Sequence, residues 1–386
     1  MKKTVLFFLL FIFSSLQSFA ESALPLKKTV CLNMIVKDES PVIKRCLESI
    51  KPLIDYWVIV DTGSTDGTQE IIKDFMKDIP GEFYERPWVD FAHNRNEALD
   101  LARAKADYCL IIDADEQLIF AKDFIMPDLS KDYYSIPIKD LDDSTFQRIH
   151  LVSNKLNWHW YGVLHEGIAC LEAKSYEVMQ GVCNLATTRD GHRSQDPEKH
   201  RKDALTLENA LKVEPNNSRY VFYLAQTYLN CKDYEGAIKN YEKRVLMGDS
   251  KEEVFYSLYM VGKIKQFIGK SFEELVNSYT AAFLARPTRA EPLYQLGCLF
   301  LKNEQVLQAY ALLKLAATMP IPEDLLFVER SVYEYDALFE SANCAALMGN
   351  NQEAFKTYNQ LVSMSNLPVK LLNVINNNIS FVSKSN

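Results

Sequence analysis

The sequence predicts two domains, an N-terminal α/β domain with a mixed sheet and a C-terminal all-α domain built from helical repeats. Strand and helix patterns alternate over residues 29–116, which favours parallel strands joined by right-handed crossovers. From residue 196 onward strand patterns end and apolar residues recur with helical spacing. The chain has 386 residues, 48% of them hydrophobic and 24% charged, which is enough for two separate cores.

The N-terminus has the pattern of a secretory signal. Lys2 and Lys3 precede an unbroken apolar run over residues 5–13, and small residues stand at Ser18 and Ala20. This order predicts a cleaved signal peptide or an uncleaved signal anchor over residues 1–20. We therefore expect the protein in the secretory pathway or the cell envelope, exported or tethered to a membrane.

Three further segments follow the signal: an α/β domain over residues 27–195, helical repeats over 196–367 and a flexible tail over 368–386. The formal net charge of −8 argues against a nucleic-acid partner, which requires a basic face. None of the eight cysteines forms a CxxC pair, so a zinc site is not expected, while their disulfide status stays open.

The first two strands each lead into a polar loop. A strand over residues 29–36 runs into Lys37, Asp38 and Glu39, after which Ser40 and Pro41 predict the cap and first turn of a helix. A second strand over 56–60 ends at Asp61, and a helix is predicted over 69–76. Asp61 can accept hydrogen bonds from a nucleobase or ribose, or it belongs to an ordinary βα loop. No GxGxxG or GKS/T spacing occurs, so neither dinucleotide nor P-loop binding is supported.

The third and fourth strands complete the pattern. A short strand over 83–85 precedes a helix predicted to begin near His93, which would put Arg95 in the first turn, against the helix dipole. That placement suggests a polar partner such as a diphosphate, the alternative being an exposed surface arginine. The apolar strand over 108–112 ends at Asp113, with Asp115 two residues later. Paired carboxylates at a strand end suit Mg²⁺ or Mn²⁺, or simply form a turn.

These segments together resemble the inverting family-2 glycosyltransferases, which have the GT-A fold. The order and spacing agree over four motifs: LNMIVKDE (32–39), VIVDTGSTDGT (58–68), RNEAL (95–99) and LIIDADE (110–116). The resemblance implies a nucleotide-diphosphate sugar as donor and Mg²⁺ or Mn²⁺ as cofactor. It also implies a role for each matching residue: Lys37, Asp38, Glu39 and Asp61 at the base and ribose, Arg95 near the diphosphate, Asp113 at the ribose and metal, and Asp115 as direct metal ligand.

A catalytic base is predicted in the aromatic segment over residues 157–167, which runs into His165 and Glu166. We favour Glu166 as the base, with His165 as a metal ligand or orienting partner. The reverse assignment stays open because an imidazole needs less pKa shifting, and so does a purely structural histidine. His192 is interpreted as a turn residue, with completion of the metal site as the alternative.

The helical half has the small and large positions of a tetratricopeptide repeat at Ala225, Tyr228, Ala237 and Tyr241. Small and large residues recur at similar positions farther along the chain and predict about four degenerate repeats. The chain resembles the subgroup of family-2 transferases fused to such repeats. We expect a peptide or protein partner, a homodimer contact, or a buttress for the first domain.

The predicted function is therefore transfer of a sugar from a nucleotide-sugar donor, with a glycan, a lipid-linked sugar or a protein as acceptor. The first alternative is a non-catalytic peptide-binding scaffold with a degenerate transferase domain. A metal-dependent phosphotransferase or nucleotidyltransferase is the second, but the sequence offers it no nucleophile and no phosphate-binding loop.

Overall fold

The computed structural model describes residues 27–139, 145–185, 190–324 and 326–383. The signal predicted over residues 1–20 lies outside these ranges. Within them, no helix is both long and apolar enough to cross a membrane.

The N-terminal domain begins with the predicted alternation of strands and helices. Its first elements are β1 (Val30–Val36), α1 (Ile43–Ile50), β2 (Tyr56–Asp61), α2 (Thr68–Phe75), β3 (Gly81–Glu85), α3 (Phe91–Ala102) and β4 (Tyr108–Ile111). The second part consists mostly of strands: β5 (Gln117–Phe120), β6 (Tyr133–Lys139), β7 (Thr145–Ser153), β8 (His159–Tyr161), β9 (Gly167–Ala169), β10 (Tyr176–Val178) and β11 (Val182–Leu185), followed by the short helix α4 (His192–Gln195).

The strands form a mixed sheet in the order β3-β2-β1-β4-β7-β6-β11-β5, with β10 beside β6. Strands β1 to β4 are mutually parallel, whereas β7 is antiparallel to both β4 and β6. Because the chain leaves β1 first toward β2 and later returns to β4, the carboxyl ends of β1 and β4 flank the switch point of the sheet. Open α/β sheets bind their ligands at such a point.

Apolar layers cover both faces of the parallel strands. One face packs on α1 and α2 through residues such as Leu32, Met34 and Ile72. The other packs on α3 and the aromatic segment through Val58, Leu99 and Trp158. All these side chains are nearly fully buried, as expected for central strands of a parallel sheet.

The C-terminal domain consists of helices in the described residues. A first helix, α5 (Lys199–Val213), is followed by four antiparallel pairs: α6 (Ser218–Asn230) with α7 (Tyr234–Met247), α8 (Lys251–Phe267) with α9 (Phe272–Ala285), α10 (Glu291–Lys302) with α11 (Val306–Ala316), and α12 (Ala337–Leu347) with α13 (Asn351–Val362). The count of pairs agrees with the predicted four repeats, and each pair contributes to a shared apolar core.

Three local predictions are wrong. Ser40 does not cap α1, which begins at Ile43 without a side-chain cap. Helix α3 begins at Phe91, because Asp90 accepts a hydrogen bond from the His93 amide, so Arg95 lies in the second turn. Residues predicted as a flexible tail form helix α14 (Val369–Val382), whose Ile375 and Val382 are buried against the preceding pair.

Candidate active site

The loops after β1 and β2 are joined at the carboxyl edge of the sheet. The amide of Asp38 donates to Ser64 Oγ at 2.8 Å, and the amide of Glu39 donates to Thr68 Oγ1 at 2.8 Å. In return, the Thr65 amide donates to Asp38 Oδ1 at 2.7 Å. These bonds hold the predicted nucleotide-binding loops as one unit. Lys37 lies at its exposed surface.

Asp61, at the end of β2, organises its own loop. Its carboxylate is 1% exposed and accepts hydrogen bonds from the Gly63 and Ser64 amides, from the Ser64 hydroxyl and from Gln69 Nε2. The loop borders an open pocket of about 330 Å³ that is also lined by Arg86. Asp61 therefore shapes the wall of a pocket beside the switch point.

Arg95 lies at the centre of the site and is 8% exposed, which excludes the alternative of an exposed surface arginine. Its Nη2 donates to Asp113 Oδ1 at 2.7 Å and its Nε to Glu166 Oε1 at 2.7 Å. The guanidinium also lies 5.0 Å from the centre of the Trp160 ring. One buried cation thus links the end of β4 to the aromatic segment.

The two aspartates after β4 have opposite electrostatic environments. Burial works against ionisation of Asp113, but the positive charges of Arg95 and Arg148 outweigh it and lower the pKa of this carboxyl to about 2. Burial and the charge of Asp113 raise the pKa of Asp115. Burial, followed by the charges of Asp115 and Asp113, raises the pKa of Glu39 to about 7. Glu39, Asp113 and Asp115 therefore lie near enough for their charges to repel one another.

The segment before the helical domain folds back over Asp115. Arg45 binds both carboxylate oxygens of Asp190, at 2.8 and 2.9 Å, and the Asp115 carbonyl at 3.0 Å. The following residue is Gly191, and a larger residue would clash at this position, because its Cβ would lie 2.6 Å from Asp115 Oδ2. The amide of His192 then donates to Glu39 Oε2 at 3.2 Å. The His192 ring lies 4.0 Å from Asp38 Oδ2, so this residue, set aside as a turn residue, borders the site.

A buried polar network supports Asp113 from behind. Glu116 accepts hydrogen bonds from Arg148, from Asn184 Nδ2 at 2.9 Å and from the Asp113 amide at 3.2 Å. His150 is fully buried, and burial together with the Arg148 charge lowers its pKa to about 3. Its neutral ring donates from Nδ1 to the Arg148 carbonyl and accepts from Asn184 at Nε2. This network fixes Arg148 beside Asp113, at 3.6 Å.

Glu166 and His165 point to different surroundings. The Glu166 side chain is 13% exposed and belongs to the Arg95 group. The His165 ring instead stacks on Tyr223 of α6, with ring centres 4.1 Å apart and planes at 11°. The described ranges hold no cluster of three or more His, Cys, Asp or Glu side chains with the geometry of a metal centre.

The structure thus brings together most of the predicted site residues at the switch point. Asp38 and Glu39 lie in the loop after β1, and Asp113 and Asp115 lie in the loop after β4; we call these two the acidic loops. Arg95 and Glu166 adjoin them. Asp61 lies in the neighbouring loop, and the His165 ring lies toward the helical domain. Sequence reasoning missed Arg45, Arg148 and Gly191, which no local pattern marks.

Comparisons with known proteins agree with this architecture. Residues 31–122 match the model of Glycosyl transferase family 2, and residues 206–239 match that of the tetratricopeptide repeat. The first domain is therefore a glycosyltransferase family-2 domain of α/β fold, followed by a helical domain that contains a tetratricopeptide repeat.

Curated relatives match parts of the chain. The SPbeta prophage-derived glycosyltransferase SunS of Bacillus subtilis is 26% identical over 56% of this chain and 54% of its own length. The lipopolysaccharide core biosynthesis glycosyltransferase LpsC of Rhizobium meliloti is 34% identical over 26% of this chain and 34% of its own. A TPR repeat-containing protein of Synechococcus elongatus is 40% identical over 23% and 21%.

The chain thus covers about half or less of the length of these relatives. Among solved structures, a crystal structure of MamA aligns with 41% of this chain and 84% of its own, at 17% identity and a TM-score of 0.33.

Proposed function

We propose that the protein is a metal-dependent, inverting glycosyltransferase that moves a sugar from a nucleotide-diphosphate donor to an acceptor hydroxyl. The observation that carries this proposal is the Arg95 bridge between Asp113 and Glu166. It connects a carboxylate suited to the donor side with one suited to proton abstraction, within a single cleft at the switch point of the sheet.

The acidic loops fit a divalent cation. Burial and like charge raise the pKa values of Asp115 and Glu39, and a bound cation would relieve this repulsion. Mg²⁺ and Mn²⁺ are commonly held by one or two carboxylates, with the remaining ligands from substrate phosphates and water, so a larger protein cluster is not required. Asp115 and Asp113 would hold the ion, with His192 as a further candidate ligand. The ion would supply positive charge for the departing diphosphate.

The donor would lie across the joined loops after β1 and β2. Lys37, Asp38 and Glu39 border the place of the nucleoside on one side, and Asp61 shapes the pocket on the other. Because the Asp61 oxygens accept several bonds from their own loop, we infer that this residue acts mainly by fixing the loop backbone. Arg95 then places a fixed cation near the diphosphate while it keeps Glu166 in position.

Glu166 is assigned as the base. Its carboxylate is oriented by Arg95, and proton abstraction from the acceptor hydroxyl by such a group is typical of inverting transfer. The alternative base, His165, stacks flat on Tyr223 and is turned toward the helical domain. We therefore assign His165 a structural role in the loop.

We further propose that the helical domain binds a peptide or protein partner, and that the N-terminal segment directs the protein to the cell envelope or the secretory pathway. Nucleotide sugars are made in the cytoplasm, so this location requires either a membrane tether or a compartment supplied with donor. Cell fractionation of the tagged protein tests this, and mature protein free in a compartment without donor would contradict it.

The proposed activity is tested by incubating the purified chain with Mn²⁺ and a panel of nucleotide sugars and measuring released nucleotide. We expect release from one donor class, reduced at least about 100-fold in Asp115→Ala because the cation would lose its main ligand. A scaffold would give equal, background release in both proteins. A nucleotidyltransferase would instead transfer the nucleoside monophosphate to an acceptor and release sugar 1-phosphate.

A further inference from the structure

The loop that carries Glu166 packs on the helical domain. Residues 162–166 connect β8 to β9, and α6 makes two hydrogen bonds and one ring contact with this loop. The Val163 amide donates to the Tyr220 hydroxyl at 3.3 Å, and the Arg219 guanidinium donates to the His165 carbonyl. The His165 ring stacks on Tyr223. The Arg219 guanidinium also lies 5.9 Å from the centre of the Tyr161 ring. Residues 161, 163 and 165 therefore all contact α6.

The conformation of this loop needs external support. Gly162 has a φ of 101° and His165 a φ of 51°, both in the left-handed region. A non-glycine residue is uncommon there and is held in place by its surroundings. For His165, the surroundings are the Tyr223 ring and the Arg219 guanidinium, both from α6.

An apolar contact seals the same junction. Leu164, at the middle of the loop, is 5% exposed and packs in one cluster with four buried residues of the helical domain: Ala204, Leu207, Tyr220 and Leu224. Burial of this leucine side chain stabilises the contact, because its apolar surface is removed from water. The loop is therefore part of the core between the two domains.

The other side of the loop is fixed by α3. The Asn96 side chain makes two hydrogen bonds of 2.8 Å with the backbone of Trp160 in β8, and Arg95 binds Glu166 directly. Glu166 is consequently located from two directions, by α3 within the catalytic domain and by α6 from the helical domain.

We propose that helix α6 positions the catalytic base, so that the active site is complete only with the helical domain docked. Arg219, Tyr220 and Tyr223 are the positioning residues, each acting through the backbone or ring of residues 163–165. The role of Glu166 as base comes from the proposed function, whereas the support of its loop by α6 stands on the contacts alone.

The kinetic test compares Arg219→Ala with Arg201→Ala in the full-length protein. Arg201 lies on α5 of the same domain, with its side chain 85% exposed and paired only with Glu198 among the described contacts, so it is a matched control. We expect kcat for nucleotide release to fall about 10- to 100-fold in Arg219→Ala, because small displacements of a reacting group cost this much. KM for the donor should stay within about twofold of the control, since the nucleotide loops are untouched.

A conservative pair separates positioning from folding. Tyr223→Ala removes the ring that stacks on His165 and should lower kcat, whereas Tyr223→Phe keeps the ring and should recover most of the loss. Equal kcat in Tyr223→Ala, Arg219→Ala and the control would overturn the proposal.

A second measurement does not depend on activity. Hydrogen exchange of a peptide spanning residues 160–168 should be at least about tenfold faster in Arg219→Ala than in Arg201→Ala, because the loop opens more often without its support. If the wild type releases nucleotide from no donor, the proposed function fails, but the exchange comparison still decides whether α6 holds the loop. Unchanged exchange would overturn the inference even in an active enzyme.

Discussion

Replacement of Arg95 by methionine should destabilise the catalytic domain strongly. The Arg95 side chain is 10% exposed and forms ion pairs with two carboxylates. The Asp113 side chain is 35% exposed and the Glu166 side chain is 13% exposed. Removal of one partner from a buried ion pair costs about 3–5 kcal/mol, since a charge is left without compensation. Asp113 retains Arg148 at 3.6 Å and is partly exposed to solvent, so we expect a cost at the lower end of this range. We expect Arg95→Met to lower the free energy of unfolding by about 3 kcal/mol at pH 7.

The loss should also depend on pH. Arg95 and Arg148 overcome burial and lower the pKa of Asp113 to about 2, so this carboxyl stabilises the fold above its unfolded pKa near 4 and loses that effect as pH falls toward 2. Without Arg95, the pKa of Asp113 should rise, and ionised Asp113 should contribute less to the stability of the fold. The difference in the free energy of unfolding between Arg95→Met and wild type should therefore be largest near pH 7 and should narrow as pH falls below 4 toward 2.

Urea unfolding followed by tryptophan emission is the assay. All four tryptophans (Trp57, Trp88, Trp158 and Trp160) belong to the first domain, so the signal reports that domain. Arg103→Met is the control, because Arg103 follows the same helix and makes weaker contacts. It pairs with exposed Asp100, a kind of contact that contributes about 0–1 kcal/mol, and donates a hydrogen bond of 3.3 Å to the Leu156 carbonyl. Equal unfolding of Arg95→Met and Arg103→Met would refute the central place given to Arg95.

Three further predictions follow from the site and the helical core. Mn²⁺ should raise the thermal midpoint of the wild type but not that of Asp115→Asn. The rise should be larger at pH 8 than at pH 6, because the cation competes with protons on Asp115 and on Glu39, and the pKa of Glu39 is raised to about 7. An equal rise in both proteins would exclude this metal site. His165→Phe keeps a ring against Tyr223 and should release nucleotide within about threefold of wild type, whereas a loss of about 100-fold or more would identify His165 as the base. Gly297→Ala should destabilise the helical domain by about 1–3 kcal/mol in circular-dichroism melts, since its Cβ would lie 2.4 Å from Leu313 Cγ; an unchanged melt would contradict the close packing of α10 on α11.

The elements around the site follow from short-range patterns. Strands β1, β2 and β4 were predictable because each is an apolar run that ends in acidic or polar residues, and parallel strands bring those ends to one edge. Asp113 and Asp115 were therefore identified by their position at the end of β4. Arg95 was singled out from a helix start that the structure moves two residues earlier, to Phe91. The helical pairs were equally accessible from their alternation of small and large residues.

Other features depend on contacts between distant segments. The approach of His192 to Glu39 requires the chain to return across 153 positions, and no local signal encodes it. The support of residues 162–166 by α6 is likewise a contact between domains. Helix α14 was missed for a different reason: its asparagines suggested a tail, while apolar residues at helical spacing, Leu371, Ile375, Ile379 and Val382, bury one face.

The most direct test of the proposed mechanism is the rate of nucleotide release by Glu166→Gln at saturating donor with Mn²⁺. We expect water to serve as acceptor when no other is supplied, with activation by the same base. Glutamine keeps an oxygen that accepts from Arg95 Nε, so the fold and donor binding should be preserved while proton abstraction is lost. We expect a rate about 100- to 10,000-fold below wild type with KM nearly unchanged. A rate within about twofold of wild type would contradict the assignment of Glu166 as the base.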